Sequence, residues 1–143
     1  MMKMLCALLT ACACALLLMT GCDKKPSADA VPATADKAQS AVLELDDTTF
    51  AAQTAQGVVL VDFWAPWCPP CRMQGPIVDA VAKQLGSTAK VAKVNVDNAK
   101  ATAQTFGIRS IPTLVVLKDG KTVKSFTGLT QADALVAAVK EAL

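Results

Sequence analysis

The sequence predicts an α/β fold, a mixed β-sheet with helices on both faces, and three observations predict it. From residue 42 onward, strand-like and helix-like segments alternate as strand, helix, strand, helix, strand, helix, strand, strand, helix. The run Val58-Val-Leu-Val-Asp-Phe-Trp64 is apolar on both faces, as a central strand covered on each side must be. Asp119-Gly120 lies between two further strand candidates and is a two-residue hairpin signal.

The elements follow in order. Val42 to Leu45 is a short strand candidate, and Asp46 or Asp47 can cap a helix through Thr48 to Ala55, ended by Gly57. After the central strand, Met73, Ile77, Val81 and Leu85 recur as one face of a helix from Pro69 to about Leu85. Pro69 and Pro70 suit its first turn, where N–H groups have no intrahelical partner, whereas Pro76 should kink it. A strand from Lys90 to Val96 precedes a helix that starts from an Asp97 cap and closes at Gly107. Strands Thr113 to Lys118 and Lys121 to Phe126 flank the hairpin turn. A last helix opens on the variant capping box Thr130-Gln-Ala-Asp133 and buries Leu135, Val139 and Ala142. No internal repeat is visible.

With 143 residues and a hydrophobic fraction of 53%, the chain suits one domain with one substantial core. Fourteen Lys and Arg against twelve Asp and Glu give a net charge of +2, which excludes the basic stripe of a nucleic-acid binder. Residues 1–21, MMKMLCALLTACACALLLMTG, read as an export signal, with Lys3 in a short n-region before an apolar stretch shorter than the roughly 20 residues of a spanning helix. Leu18-Met-Thr-Gly-Cys22 resembles the lipobox of bacterial lipoproteins, with Met19 where leucine is usual. Cleavage before Cys22 would leave it carrying lipid, and an uncleaved anchor or plain secretion are the alternatives. Cys6, Cys12 and Cys14 then leave with the leader. Asp23 resembles the inner-membrane retention signal of some Gram-negative lipoproteins. Residues 22–41 read as the lipidated cysteine and a disordered tether rich in Ala, Pro, Asp and Ser, with a root-mean-square span of roughly 25 Å; a helical stalk is the alternative.

Only Cys68 and Cys71 remain in residues 42–143. A zinc site needs about four ligands, and the chain has no histidine and this region no third cysteine. A purely structural disulfide would close a very small loop and contribute little in the chain-entropy model. The pair stands between a central strand and a helix N-terminus, where N–H groups and the macrodipole favour a thiolate on Cys68. Placement therefore favours redox chemistry. Asp62 is costly inside an apolar run unless paired or protonated; a solvent-edge aspartate is the plainer alternative.

The segments VDFWAPWCPPCRM, AKVNVD, GIRSIPTLVVLKDG and TGLT, in this order, resemble those of thioredoxins, and the resemblance covers residues 42–143. It implies the thioredoxin fold, a mixed five-stranded sheet flanked by four helices, and thiol-disulfide exchange with protein substrates. It also implies no cofactor beyond the redox-active disulfide Cys68–Cys71, and no metal. By the same resemblance, Cys68 is the exposed nucleophile and Cys71 the more sheltered resolving thiol. Asp62 assists proton transfer below them, with Lys93 nearby. Pro112 is a cis-proline, beside which Ile111 presents its backbone to an extended substrate. Trp64, Trp67, Ile108, Ile111 and Gly128 match the apolar docking ground, with Trp64 expected in the core and Trp67 on the surface.

Most thioredoxins carry glycine where this chain has Pro69. The proline removes a donor from the Cys68 thiolate, and a stiff Pro69-Pro70 segment loses less entropy on closing the disulfide. Both effects favour a reductase over an oxidase or isomerase; a redox-inert binding module is the third reading. The expectation is a monomer in the bacterial cell envelope. It is lipid-anchored, facing the periplasm from the inner membrane, and recharged by a membrane electron donor because soluble cytosolic reductants cannot reach it.

Overall fold

The computed structural model describes residues 42–143; the leader, Cys22 and the tether lie outside the described residues. The elements are β1 (Leu43–Leu45), α1 (Phe50–Thr54), β2 (Val58–Trp64), α2 (Pro69–Leu85), β3 (Lys90–Asn95), α3 (Lys100–Thr105), β4 (Thr113–Lys118), β5 (Lys121–Thr127) and α4 (Ala132–Ala142). Their order is the expected one.

The five strands form one sheet in the order β1-β3-β2-β4-β5. β1 and β2 run parallel to β3, while β4 runs antiparallel to β2 and to β5. At the hairpin, Asp119 and Gly120 both take positive φ, 49° and 76°, as a type I′ turn demands. Asp119 also accepts a 2.9 Å hydrogen bond from Gly57 N–H, which fixes the hairpin to the entry of β2.

β2 is central and its two faces are both covered. Leu60 faces α2 and α4, joining Val78, Val81, Leu85, Leu135 and Val139 in one core. Val59, Val61 and Phe63 face the other way, toward Phe50, Val94 and Val115. There Phe50, Phe63 and Phe106 meet with ring centroids 5.1 to 6.4 Å apart.

Three local expectations are corrected. The buried face of α2 runs through Cys71, Gln74, Val78, Val81, Ala82 and Leu85, so Met73, 57% exposed, lies off it and Ile77 lies at its margin. α2 continues through Pro76. Asp97 does not cap α3. Asp47, some fifty residues upstream, accepts from Thr102 N–H, Thr102 Oγ1 and Ala101 N–H instead, and the Thr102 side chain leads in holding its carboxyl below the usual range. The capping box at Thr130 does not form, because Thr130 Oγ1 donates to Gly128 O and Thr130 N–H donates to Gln74. Asp46 organises the turn that leads into α1, whose N-cap is Thr49. The hydroxyls and amides of Thr48 and Thr49 all donate to Asp46 Oδ1 and bring its carboxyl down to about 2.

Candidate active site

β2 ends at Trp64, and the chain turns through Ala65-Pro66-Trp67 into α2 with Cys68 at the N-cap. Cys68 and Cys71 are joined in a disulfide with Cα atoms 5.3 Å apart. Cys71 N–H donates to Cys68 Sγ at 3.2 Å. Arg72 N–H is directed to Cys68 O at 3.3 Å, and Pro69 and Pro70 have no N–H, so within residues 69–72 a single amide serves the sulfur.

Both sulfurs are sheltered, which corrects the expectation of an exposed Cys68. It is 4% exposed against 3% for Cys71, because Ala65, Trp64, Val96 and Ile111 close around the pair. What distinguishes them is direction. Cys68 Sγ lies 3.7 Å from Ile111 O at the docking edge, whereas Cys71 is on the face of α2 turned toward the sheet. The Ile111-Pro112 bond is cis, and Gly128 N–H donates to Pro112 O at 2.8 Å. Gly128 has φ of +87°, a conformation that glycine adopts without strain.

Trp67 is 63% exposed, and its Nε1–H donates to Asp97 Oδ2 at 2.9 Å. Together with Val96, Ile108, Arg109, Ser110 and Ile111 it lines a depression of about 150 Å³ beside the disulfide. Trp67 is on the surface as expected, whereas Trp64, expected in the core, is only partly buried against the cysteine pair.

Asp62 is fully buried, and neither carboxylate oxygen has a hydrogen-bond partner. Desolvation pushes its pKa up to about 7; Lys93 opposes the rise and Glu44 adds to it. The solvent-edge alternative is therefore excluded. Lys93 is opposite Asp62 in the β2–β3 register, yet its Nζ is placed 4.7 Å over the Trp64 ring rather than paired with the carboxylate. Its charge biases Asp62 without bonding to it.

Sequence reasoning missed Gln74 and Asp97 as parts of this neighbourhood. Gln74 follows Cys71 by three residues and its polarity on a buried helix face was the available signal; Asp97 carried none, because its partner is thirty residues away. No group of three or more His, Cys, Asp or Glu side chains suited to a metal occurs among the described residues.

A central strand delivering a dithiol to a helix N-terminus, beside a cis-proline edge and above a buried carboxyl, defines a thiol-disulfide oxidoreductase. The thioredoxin family model matches residues 41–141. Thioredoxin of Bacillus subtilis is 44% identical over 95 residues, 66% of this chain and 91% of its own, and thioredoxin 1 of Synechococcus elongatus is 47% identical over 91 residues, 62% and 85%. Among solved structures, a point mutant of thioredoxin from Halobacterium salinarum superposes with a TM-score of 0.69 at 37% identity, covering 75% of this chain and 95% of that one. The chain belongs to the thioredoxin family, and it is a protein-disulfide reductase whose redox centre is a cysteine pair without a further cofactor.

Proposed function

We propose that this reductase serves disulfide-bearing proteins of the bacterial periplasm, held at the membrane by lipid on Cys22, with Cys68 as attacking thiol, Cys71 as resolving thiol and Asp62 as proton carrier. The observation that carries the assignment of roles is the asymmetry about the disulfide. Cys68 receives the one amide donor of the helix cap and borders the Ile111 edge, and Cys71 points into the side where Asp62 is buried.

In the reduced protein, the Cys68 thiolate attacks one sulfur of the client disulfide, and the client's other sulfur leaves as a thiolate that takes a proton from water. Asp62, with a pKa near neutrality, accepts the proton of Cys71. The Cys71 thiolate then attacks Cys68 Sγ and expels the client's second thiolate, which is protonated in turn. Two electrons have passed to the client, and the Cys68–Cys71 disulfide of the present structure results. Lys93 supports the ionised form of Asp62 from its position over Trp64. Trp67, Ile108, Ile111, Pro112 and Gly128 receive the client chain.

Support for the envelope setting is the lipobox-like Leu18 to Cys22, and support for a strongly reducing couple is Pro69. Dithiothreitol-driven insulin reduction tests the roles: Cys68→Ser is expected to fall to the uncatalysed rate, and wild type no faster than that variant refutes the assignment. Equilibration against glutathione tests direction, with a potential near roughly −270 mV expected and one near roughly −120 mV refuting it. Metabolic labelling with a tagged fatty acid should mark wild type and not Cys22→Ser. Mixed disulfides accumulated by Cys71→Ser in cells would name the clients and the membrane donor.

A further inference from the structure

Gln74 is a wholly buried amide on the face of α2 that otherwise carries Cys71, Val78, Val81 and Leu85. Burying an unpartnered amide would be costly, and here both ends are satisfied by one residue. Thr130 N–H donates to Gln74 Oε1 at 2.8 Å, and Gln74 Nε2 donates to Thr130 O at 3.0 Å. The side chain thus pairs with the backbone of Thr130 as a neighbouring strand would.

Thr130 belongs to the segment that leaves β5 beside the cis-proline. Thr130 Oγ1 donates to Gly128 O at 3.1 Å, and Gly128 N–H donates to Pro112 O at 2.8 Å. One hydrogen-bonded chain therefore runs from the cysteine helix through residues 128–130 to the docking edge. A hydrophobic residue at position 74 could fill the same space but could not hold this register.

We propose that Gln74 is a positioning residue for protein substrates, setting the spacing between the cysteine helix and the 112/128 edge so that a docked client's disulfide meets Cys68. The proposal rests on the reductase reading of the Cys68–Cys71 pair. A folded or extended client needs both walls of the cleft at once; a small disulfide needs only the sulfur.

The test compares the full chain with Gln74→Met, near in length and without either hydrogen bond. Two substrates are used, insulin and bis(2-hydroxyethyl) disulfide, each rate corrected by the Cys68→Ser background. Loss of the paired bonds is expected to raise KM for insulin about tenfold while kcat, the rate on the small disulfide and the redox potential stay at wild-type values. Amide exchange at Thr130 should accelerate with it. Gln74→Glu retains the acceptor for Thr130 N–H and should show a smaller rise, about threefold; it carries the test if the Met variant does not fold. An unchanged insulin KM in whichever variant folds, or equal slowing on both substrates, overturns the proposal. Failure of the wild type to reduce either substrate would instead overturn the reductase reading.

Discussion

The two faces of β2 are built from alternate residues of one seven-residue strand, and they do opposite things. Val59, Val61 and Phe63 enter an apolar cluster with Phe50 and Phe106. Leu60, Asp62 and Trp64 face the cysteine helix, and this face holds every buried polar side-chain atom left without a hydrogen bond among the described residues, both Asp62 oxygens and Trp64 Nε1. One face supplies stability, and the other gives some of it up to keep a carboxyl near neutral pKa. The lesson is that a strand's period of two lets adjacent residues meet separate demands.

The largest break in this comparison should come from the apolar face. Phe63→Ala removes a fully buried ring from the aromatic trio and is expected to cost about 3–5 kcal/mol in chemical denaturation. The redox potential of the folded fraction should stay unchanged. A large shift in potential would show that the two faces are not separable.

The polar face should respond with the opposite sign. The folded pKa of Asp62, about 7, lies above its unfolded 3.8, so the folded protein binds the extra proton between those values. Stability of the oxidised protein therefore falls as pH rises from about 4 through 7 and levels off above, by roughly 4 kcal/mol if the whole shift is realised. Asp62→Asn, which has no charge to desolvate, should remove most of this slope and be the more stable protein at pH 8, while reducing insulin more slowly. Denaturation curves at pH 5 and pH 8 check it. Equal pH slopes in wild type and variant would mean that Asp62 ionises at an ordinary pKa.

What was legible in the sequence divides along similar lines. Element order, the central strand and the hairpin follow from local pattern: the all-apolar run 58–64 and the Asp119-Gly120 turn admit few other arrangements. The disulfide centre was legible from the WCPPC spacing and its position at a helix start. Three features were not. The buried face of α2 was read through Met73 and Ile77 because an apolar period cannot anticipate that Gln74 is the inward residue, satisfied by a backbone 56 positions away. The shelter of Cys68 comes from Val96 and Ile111, distant segments that fold over it. The capping aspartates were confused for the same reason, since a side chain that caps across the fold leaves no trace in its own neighbourhood.

That confusion supplies the smallest and most discriminating prediction. Asp47 and Asp97 are both exposed aspartates near the start of a helix, yet Asp47 bonds the first turn of α3 and Asp97 bonds the indole of Trp67. Asp47→Ala is expected to lower Tm by a few degrees with unaltered KM for insulin, because it releases amides of a helix that contributes no side chain to the cluster around the disulfide. Asp97→Ala should leave Tm in place, since it caps nothing, and should free Trp67 beside the nucleophile. One hydrogen bond to an exposed ring is worth little, so the expected change in insulin KM is about twofold, accompanied by altered Trp67 fluorescence. A Tm loss in Asp97→Ala as large as in Asp47→Ala would restore Asp97 as the cap of α3. A clean separation would place one aspartate with the scaffold and the other with the docking surface.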